Sequence, residues 1–308
     1  MNMTELRHLV NPALRGKLSC DVTMHKYTSW RTGGVAERMY QPADLDDLLV
    51  FLRNLPADEP LYAVGLGSNL LVREGGLHGT VLMLHGTMSA LHLELDGSVY
   101  AEAGVPGAKL ARFAAAHNLQ GAEFFAGIPG TLGGMLAMNA GCYGSETWEK
   151  VLRVQTVNRR GGVHVRTPAD YEIGYRHVVK HDMENEQDEF FIAAWLQFSK
   201  GDGESARRGI KALLNKRIAS QPLNMPNAGS VFRNPQDDHA ARLIEQSGLK
   251  GRQLGGAQVS EKHANFIVNS GTATAADIEN LINEVQAVVE KKTGVKLQCE
   301  VRIIGEAA

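Results

Sequence analysis

The sequence predicts an α+β protein of three modules, and three observations predict it. Short alternating runs broken by turn residues recur between residues 61 and 200, the pattern of strands and hairpins. Stretches at 43–55, 107–119 and 274–294 place apolar residues at three- and four-residue spacing, the pattern of packed helices. Glycine accounts for 33 of the 308 residues and is clustered; it is costly to order unless backbone must turn sharply or approach something closely.

The elements follow in order. "ADLDDLLVFLRNL" (43–55) is helical through Leu45, Leu48, Leu49 and Leu52. "LYAVGLGSNLLV" (61–72) reads as a strand, a glycine turn and a second apolar run. "LHLELDGSVYAEAG" (91–104) alternates around Asp96-Gly97, a hairpin signal. "GAKLARFAAAHNL" (107–119) is helical. "VLRVQTVNRRGGVHVRT" (151–167) is two strands around a Gly-Gly turn, and "DEFFIAAWLQFSK" (188–200) continues the strands. The polar "HVVKHDMENEQDE" (177–189) reads as a mobile loop. Near Gly201 the character changes to a charged helix, "GDGESARRGIKALLNKR". The clearest helix is 274–294: Thr274 caps it, Ile278, Leu281, Ile282, Val285, Val288 and Val289 form its stripe, and Gly294 ends it. A strand, "KLQCEVRIIG", follows. The modules fall near 1–85, 86–200 and 201–308.

The totals exclude several classes of function. Hydrophobic residues make 44% and charged residues 21%, as in ordinary soluble proteins. Lys plus Arg number 32 against 34 Asp plus Glu, so the basic excess of a nucleic-acid binder is missing. The opening "MNMTELRHLVNPALRGK" has no continuous apolar region and does not read as a secretory signal. No run approaches the roughly 18 apolar residues of a membrane span. Cys20, Cys142 and Cys299 are far apart and form no CxxC, so neither a disulfide framework nor a metal site is expected. The expectation is a cytoplasmic monomer acting on small molecules, with no nucleic-acid or membrane partner.

Two segments concentrate backbone freedom. Gly65, Gly67, Ser68, Asn69 and Leu70 follow an apolar strand, and such a turn can aim N–H groups at an anion. It lacks the third glycine of GxGxxG and the lysine of a P-loop, so a plain tight turn remains the alternative. The second segment carries Gly127, Ile128, Pro129, Gly130, Thr131, Gly133, Gly134, Asn139 and Gly141. It would let backbone lie flat against a pyrophosphate and a planar ring, or it is a packing bend. Two such segments in neighbouring modules favour a dinucleotide site. Ser230, in "PNAGSVFRNP" (226–235), is no nucleophile elbow, because Ala228 and Phe232 stand where G-x-S-x-G needs glycine. On its surroundings alone it is a turn serine.

Taken together, "YTSWRTGG" (27–34), "VGLGSNLLV" (64–72), "GIPGTLGG…MNAGCYG" (127–144), "GYR" (174–176), "GSVFRNP" (229–235), "KHANFIVN" (262–269) and "EVRIIGE" (300–306) resemble the UDP-N-acetylenolpyruvoylglucosamine reductase family, in order and over nearly the whole chain. The resemblance implies two α+β modules of the vanillyl-alcohol-oxidase (PCMH) type sandwiching FAD at the two glycine-rich segments, then a C-terminal α+β domain over the substrate. The length is near that of the family's shorter subclass, which lacks an inserted loop carrying a substrate-contacting tyrosine.

The activity so implied takes a hydride from NADPH through FAD to carbon 3 of an enolpyruvyl group on UDP-N-acetylglucosamine, giving UDP-N-acetylmuramate for the cell wall. The family's arginine, serine and glutamate fall on Arg176, Ser230 and Glu300. An arginine fork suits a planar carboxylate, although a surface arginine is the alternative. Glu300 faces solvent by simple alternation or faces the site, where burial would raise its pKa. Serine donates a proton only where a strongly basic centre forms beside it. Tyr175, Arg217, Asn234 and His263 are secondary substrate contacts or structural residues. Val178 stands two positions after Arg176, where the family often has serine, so a supporting hydrogen bond from such a serine is not expected here, while the match at Arg176 stands. The competing readings are a flavin-dependent alcohol oxidase of the same fold and a catalytically inactive nucleotide-binding regulator. A yellow protein would favour both flavoenzyme readings over the regulator, and NADPH oxidation that needs the enolpyruvyl substrate but not oxygen would favour the reductase.

Overall fold

A computed structural model describes residues 13–181 and 189–308. The chain divides into two compact units. The first takes the described part of Met1–Ser19 with Arg38–Gly65 and Gly79–Leu214; the second takes Cys20–Glu37, Leu66–His78 and Asn215–Ala308.

In the first unit the helix Leu45–Asn54 begins at Asp44, whose carboxylate accepts from Asp47 N at 3.0 Å. Leu48, Phe51 and Leu52 are buried and pack with Tyr40, Leu82 and Val157. The run Leu61–Val64 pairs in parallel with residues 80–83. A five-stranded antiparallel sheet follows, in the order Val163–Arg166, Val151–Asn158, Glu189–Leu196, Val99–Glu102, Leu91–Leu93. Both hairpin signals turn where the residues demand. Gly97 takes φ +84° beside the Asp96 carboxylate, which accepts from Ser98 N, and Gly161 takes φ +72° beside Asn158. The helix Gly107–Ala116 buries Leu110, Ala111, Ala114 and Ala115 against this sheet's core.

Two expectations change here. Of the stretch read as a loop, His177–Lys180 is a strand paired with Tyr171–Gly174, and residues 182–188 lie outside the described residues, as does most of the supposed non-signal opening. The adjacent β-branched Val178 and Val179 favour an extended chain once a two-residue turn gives it a partner. The second glycine-rich segment contains a short helix, Leu132–Ala137, because Leu132, Met135 and Leu136 share one buried face.

In the second unit the helix Ala275–Thr293 forms as the sequence dictates. Thr274 and Asp277 make a capping box, Gly294 closes the end at φ +75°, and Ile278, Leu281, Ile282, Val285 and Val289 are buried. They pack on the sheet Gln253–Leu254, Ala257–Val259, Ile267–Asn269 and on the helix Ala240–Gln246. The expected last strand is shorter: Arg302–Ile304 pairs in parallel with Leu70–Val72. No helix among the described residues is long and apolar enough to cross a membrane, and no group of three metal-ligating side chains occurs among them.

Candidate active site

Arg176 occupies the turn of the hairpin Tyr171–Gly174/His177–Lys180, in left-handed backbone at φ +54°. A non-glycine residue there costs on the order of 1–3 kcal/mol, so surrounding contacts must fix it. Its guanidinium donates to the carbonyls of Asn139 and Gly141, both at 3.3 Å, and lies 5.0 Å from the Tyr175 ring centroid. The "GYR" turn and the second glycine-rich segment are thus one local structure. Tyr175 itself is 46% exposed.

Gly65, the residue of the first glycine-rich segment that lies in this unit, abuts the second segment. A Cβ on Gly65 would lie 2.3 Å from the Thr131 hydroxyl oxygen. Several neighbouring glycines are bare for packing. A Cβ on Gly127 would lie 2.8 Å from Cys142 Sγ, on Gly133 3.0 Å from Ala103 Cβ, and on Gly141 2.4 Å from Ser145 O. The amides of Gly130, Leu132 and Gly133 donate to Ile128, Val105 and Ala103, so they are engaged within the protein. Gly134 differs: it is exposed, and a Cβ there would meet nothing within 4 Å. Bare helix backbone facing open space, with Thr131 one turn before it and half-exposed Ile128 and Gly130 preceding, fits the flat approach of a flavin dinucleotide.

In the second unit the remaining motifs converge. The Glu300 amide donates to Val231 O at 2.7 Å, Arg233 N donates to Gln298 O at 2.9 Å, and Phe232 and Cys299 form a β-bridge. Ser230 and Glu300, both half-buried, therefore sit on neighbouring backbone. Gly229, at φ +74° with open space at its Cβ position, leaves the approach to Ser230 bare. Asn69 ties in from the first glycine-rich segment: its Nδ2 donates to Glu300 O at 3.1 Å and its carbonyl accepts from Arg302 N at 3.0 Å. Gly67, at φ +60°, lies so close to Tyr27 that a Cβ would collide with its carbonyl. Ser68 and Leu70 flank Asn69, both half-buried.

Reading the sequence did not single out the residue that pins this arrangement. Asn265 is 3% exposed. Its Oδ1 accepts from Phe232 N at 3.0 Å, its Nδ2 donates to Phe232 O at 2.8 Å, and its carbonyl accepts from Val231 N at 2.9 Å. The available signal was an asparagine amid "HANFIVN", since a polar side chain in an apolar stretch needs internal partners if it is buried. Trp30 does similar work, donating to Ile267 O at 2.8 Å while its carbonyl accepts from Asn269 Nδ2 at 2.9 Å.

The secondary candidates have internal roles. Arg217, on Gly203–Ser220, donates to Gln221 at 2.9 Å. Asn234 is exposed and accepts from Ala240 N at 3.1 Å, at the start of a helix. His263 accepts from Asn265 N at 3.3 Å, and burial lowers its pKa. Val178 stands opposite Ile173 in the Arg176 hairpin, an apolar cross-strand pair.

The comparisons with known proteins decide the family. The UDP-N-acetylenolpyruvoylglucosamine reductase of Thiobacillus denitrificans is 53% identical over 319 aligned positions, covering 99% of this chain and 98% of its own. This chain belongs to the UDP-N-acetylenolpyruvoylglucosamine reductase family. The reductase of Methylococcus capsulatus is 58% identical, covering 91% of each chain. The model for the C-terminal domain of UDP-N-acetylenolpyruvoylglucosamine reductase matches residues 221–304, and that for an FAD binding domain matches residues 36–167. The crystal structure of the Thermus caldophilus reductase superposes with a TM-score of 0.79 at 29% identity, over 94% of this chain and 99% of that one. The reductase fold is therefore the α+β fold expected, a flavin-binding part followed by a C-terminal domain.

Proposed function

We propose that this chain reduces the enolpyruvyl group of UDP-N-acetylglucosamine enolpyruvate to the lactyl ether of UDP-N-acetylmuramate, with NADPH as reductant and FAD as cofactor, in peptidoglycan precursor synthesis. The carrying observation is the 2.7 Å bond from the Glu300 amide to Val231 O, which holds the Ser230 and Glu300 segments side by side.

Bound FAD supplies a hydride relay between NADPH and carbon 3 of the enolpyruvyl group. The protein's task is the charge and the proton. Addition of hydride at carbon 3 leaves an electron pair at carbon 2, delocalised into the carboxylate. Arg176, a permanent cation held by two backbone carbonyls, balances that charge through bonds to the carboxylate oxygens. Glu300 polarises the same carboxylate. Ser230 gives its hydroxyl proton to carbon 2 and regains one from solvent, so one hydride and one proton are added and NADP+ leaves. The bare backbone of Gly229 gives the substrate access to the hydroxyl.

The cofactor lies along the segments that carry Gly65, Gly67, Ser68, Asn69, Leu70 and Gly127, Ile128, Pro129, Gly130, Thr131, Gly133, Gly134, Asn139 and Gly141. Gly134 and Thr131 are the best-supported contacts, while Gly127, Gly133 and Gly141 shape that backbone by packing and Asn139 by its side-chain bonds. Beside the internal bonds they make, Arg217 and Asn234 contact the sugar or phosphates and His263 is a polar substrate contact, while the half-exposed Tyr175 packs on the substrate. In functional terms 1–85 and 86–200 form the FAD-binding part and 201–308 the substrate domain. The protein works as a cytoplasmic monomer without nucleic-acid or membrane partners.

The test separates the half-reactions. Ser230→Ala is expected to keep flavin reduction by NADPH near the wild-type rate and to lose reduction of the enolpyruvyl substrate by about a hundredfold or more. Fast rates in both would remove Ser230 as proton donor.

A further inference from the structure

Asn139 is 1% exposed, and its side chain is fully engaged inside the protein. Its Nδ2 donates to Glu146 Oε2 at 2.7 Å and to Gly174 O at 3.1 Å, while its Oδ1 accepts from Trp148 N at 3.1 Å. Both amide hydrogens and the carbonyl thus have partners. Gly174 opens the turn that carries Arg176, and the Arg176 guanidinium returns to the backbone carbonyls of Asn139 and Gly141. The contact is reciprocal: the Asn139 side chain holds the turn, and the arginine on the turn holds the Asn139 backbone.

Glu146 stands behind this pair. Its strand, Ser145–Glu146, pairs with Gly141–Cys142 so that Glu146 lies opposite Gly141. A Cβ on Gly141 would come 2.9 Å from Glu146 Cγ. Two non-glycine residues in left-handed backbone, Asn139 at φ +39° and Arg176 at φ +54°, face each other across these bonds. Asparagine tolerates that conformation better than arginine does, so the clamp must supply what the Arg176 turn lacks.

We infer that Asn139 and Glu146 are positioning residues for Arg176: the amide–carboxylate pair locks the Gly174–His177 turn and so fixes where the guanidinium points. This rests on the reading of Arg176 as the cation that meets the substrate carboxylate. Neither residue touches the reacting atoms in this role, and Asn139 acts through its side-chain bonds rather than by contacting the cofactor.

The experiment uses the flavin-loaded full chain with Glu146→Ala, Glu146→Gln, Arg176→Lys and the double variant Glu146→Ala/Arg176→Lys, and follows both half-reactions by rapid mixing at saturating substrate. Glu146→Ala is expected to slow reduction of the enolpyruvyl substrate about tenfold, the scale of a small misplacement of a reacting group, with flavin reduction by NADPH unchanged. Glu146→Gln, which keeps an acceptor for the Asn139 amide, restores most of the rate. In the Arg176→Lys background, Glu146→Ala adds no further loss. Equal slowing of both half-reactions, or additive losses in the double variant, would overturn the inference. If Arg176→Lys slows substrate reduction and Glu146→Ala does not, the inference alone fails. If Arg176→Lys leaves that step at full rate, the reading of Arg176 fails and takes the inference with it. Should Glu146→Ala not fold, Glu146→Asp, which draws the carboxylate back by one carbon, carries the same readouts.

Discussion

Arg176 in the first unit and Ser230 in the second are both fixed, but by different means. Arg176 rides on a two-residue turn in strained backbone, and what holds it is a set of bonds between side chains and carbonyls, with Asn139 at the centre. Ser230 lies on a segment held by main-chain bonds to 298–300 and 265, with one buried asparagine sealing both polar groups of Phe232. A guanidinium has reach and must be aimed; a hydroxyl has almost none, so its backbone must already be in place. The first arrangement is tuned by side chains, while the second is built into the fold of its unit.

That difference can be broken from either side. The largest effect is expected from Asn265→Ala. It strands the buried N–H and C=O of Phe232 and should cost the protein about 3 kcal/mol, read by urea unfolding. A loss below about 1 kcal/mol would mean that the Ser230 segment is not pinned as described. A smaller effect on stability, with a distinct effect on cofactor, is expected from Gly134→Val. The side chain enters open space, so stability should move by less than about 1 kcal/mol. Flavin content of the purified protein should fall, because the branched side chain would cover the bare face. Full flavin content would show that the face is not the cradle.

The smallest effect concerns pH. Burial holds the His263 pKa below its ordinary value of 6.5, so the unfolded chain binds a proton that the folded protein refuses. Stability from this residue is therefore present above that ordinary value and declines as pH falls through it toward the folded pKa. His263→Gln should flatten that decline. An unchanged stability-versus-pH profile between pH 7 and pH 5 would contradict this (roughly the window in which histidine titrates).

How much of this was legible in the sequence depends on distance along the chain. The helix Ala275–Thr293 could be read whole, because its cap, stripe and terminating glycine are all local. The turns at Gly97 and Gly161 were legible for the same reason. The segments of the site could be identified as a resemblance, but not how they bond. The Asn69–Glu300 bond joins residues 231 apart and the Trp30–Ile267 bond residues 237 apart, and no periodicity encodes such pairings. The strand His177–Lys180 was missed because its partner and turn, rather than its own polarity, decide its conformation. Gly127, Gly133 and Gly141 show a related limit: a glycine required by packing and one that faces open space look identical in sequence, and only the surrounding atoms separate them from Gly134.

The central claim is that Ser230 delivers the proton that completes reduction of the enolpyruvyl group. The most direct measurement mixes NADPH-reduced, flavin-loaded protein anaerobically with UDP-N-acetylglucosamine enolpyruvate and follows return of oxidised flavin absorbance. The wild-type protein should reoxidise in a single substrate-dependent phase, and Ser230→Ala should remain reduced on that timescale. Reoxidation of Ser230→Ala at the wild-type rate, or failure of the wild-type protein to reoxidise at all, would contradict the account.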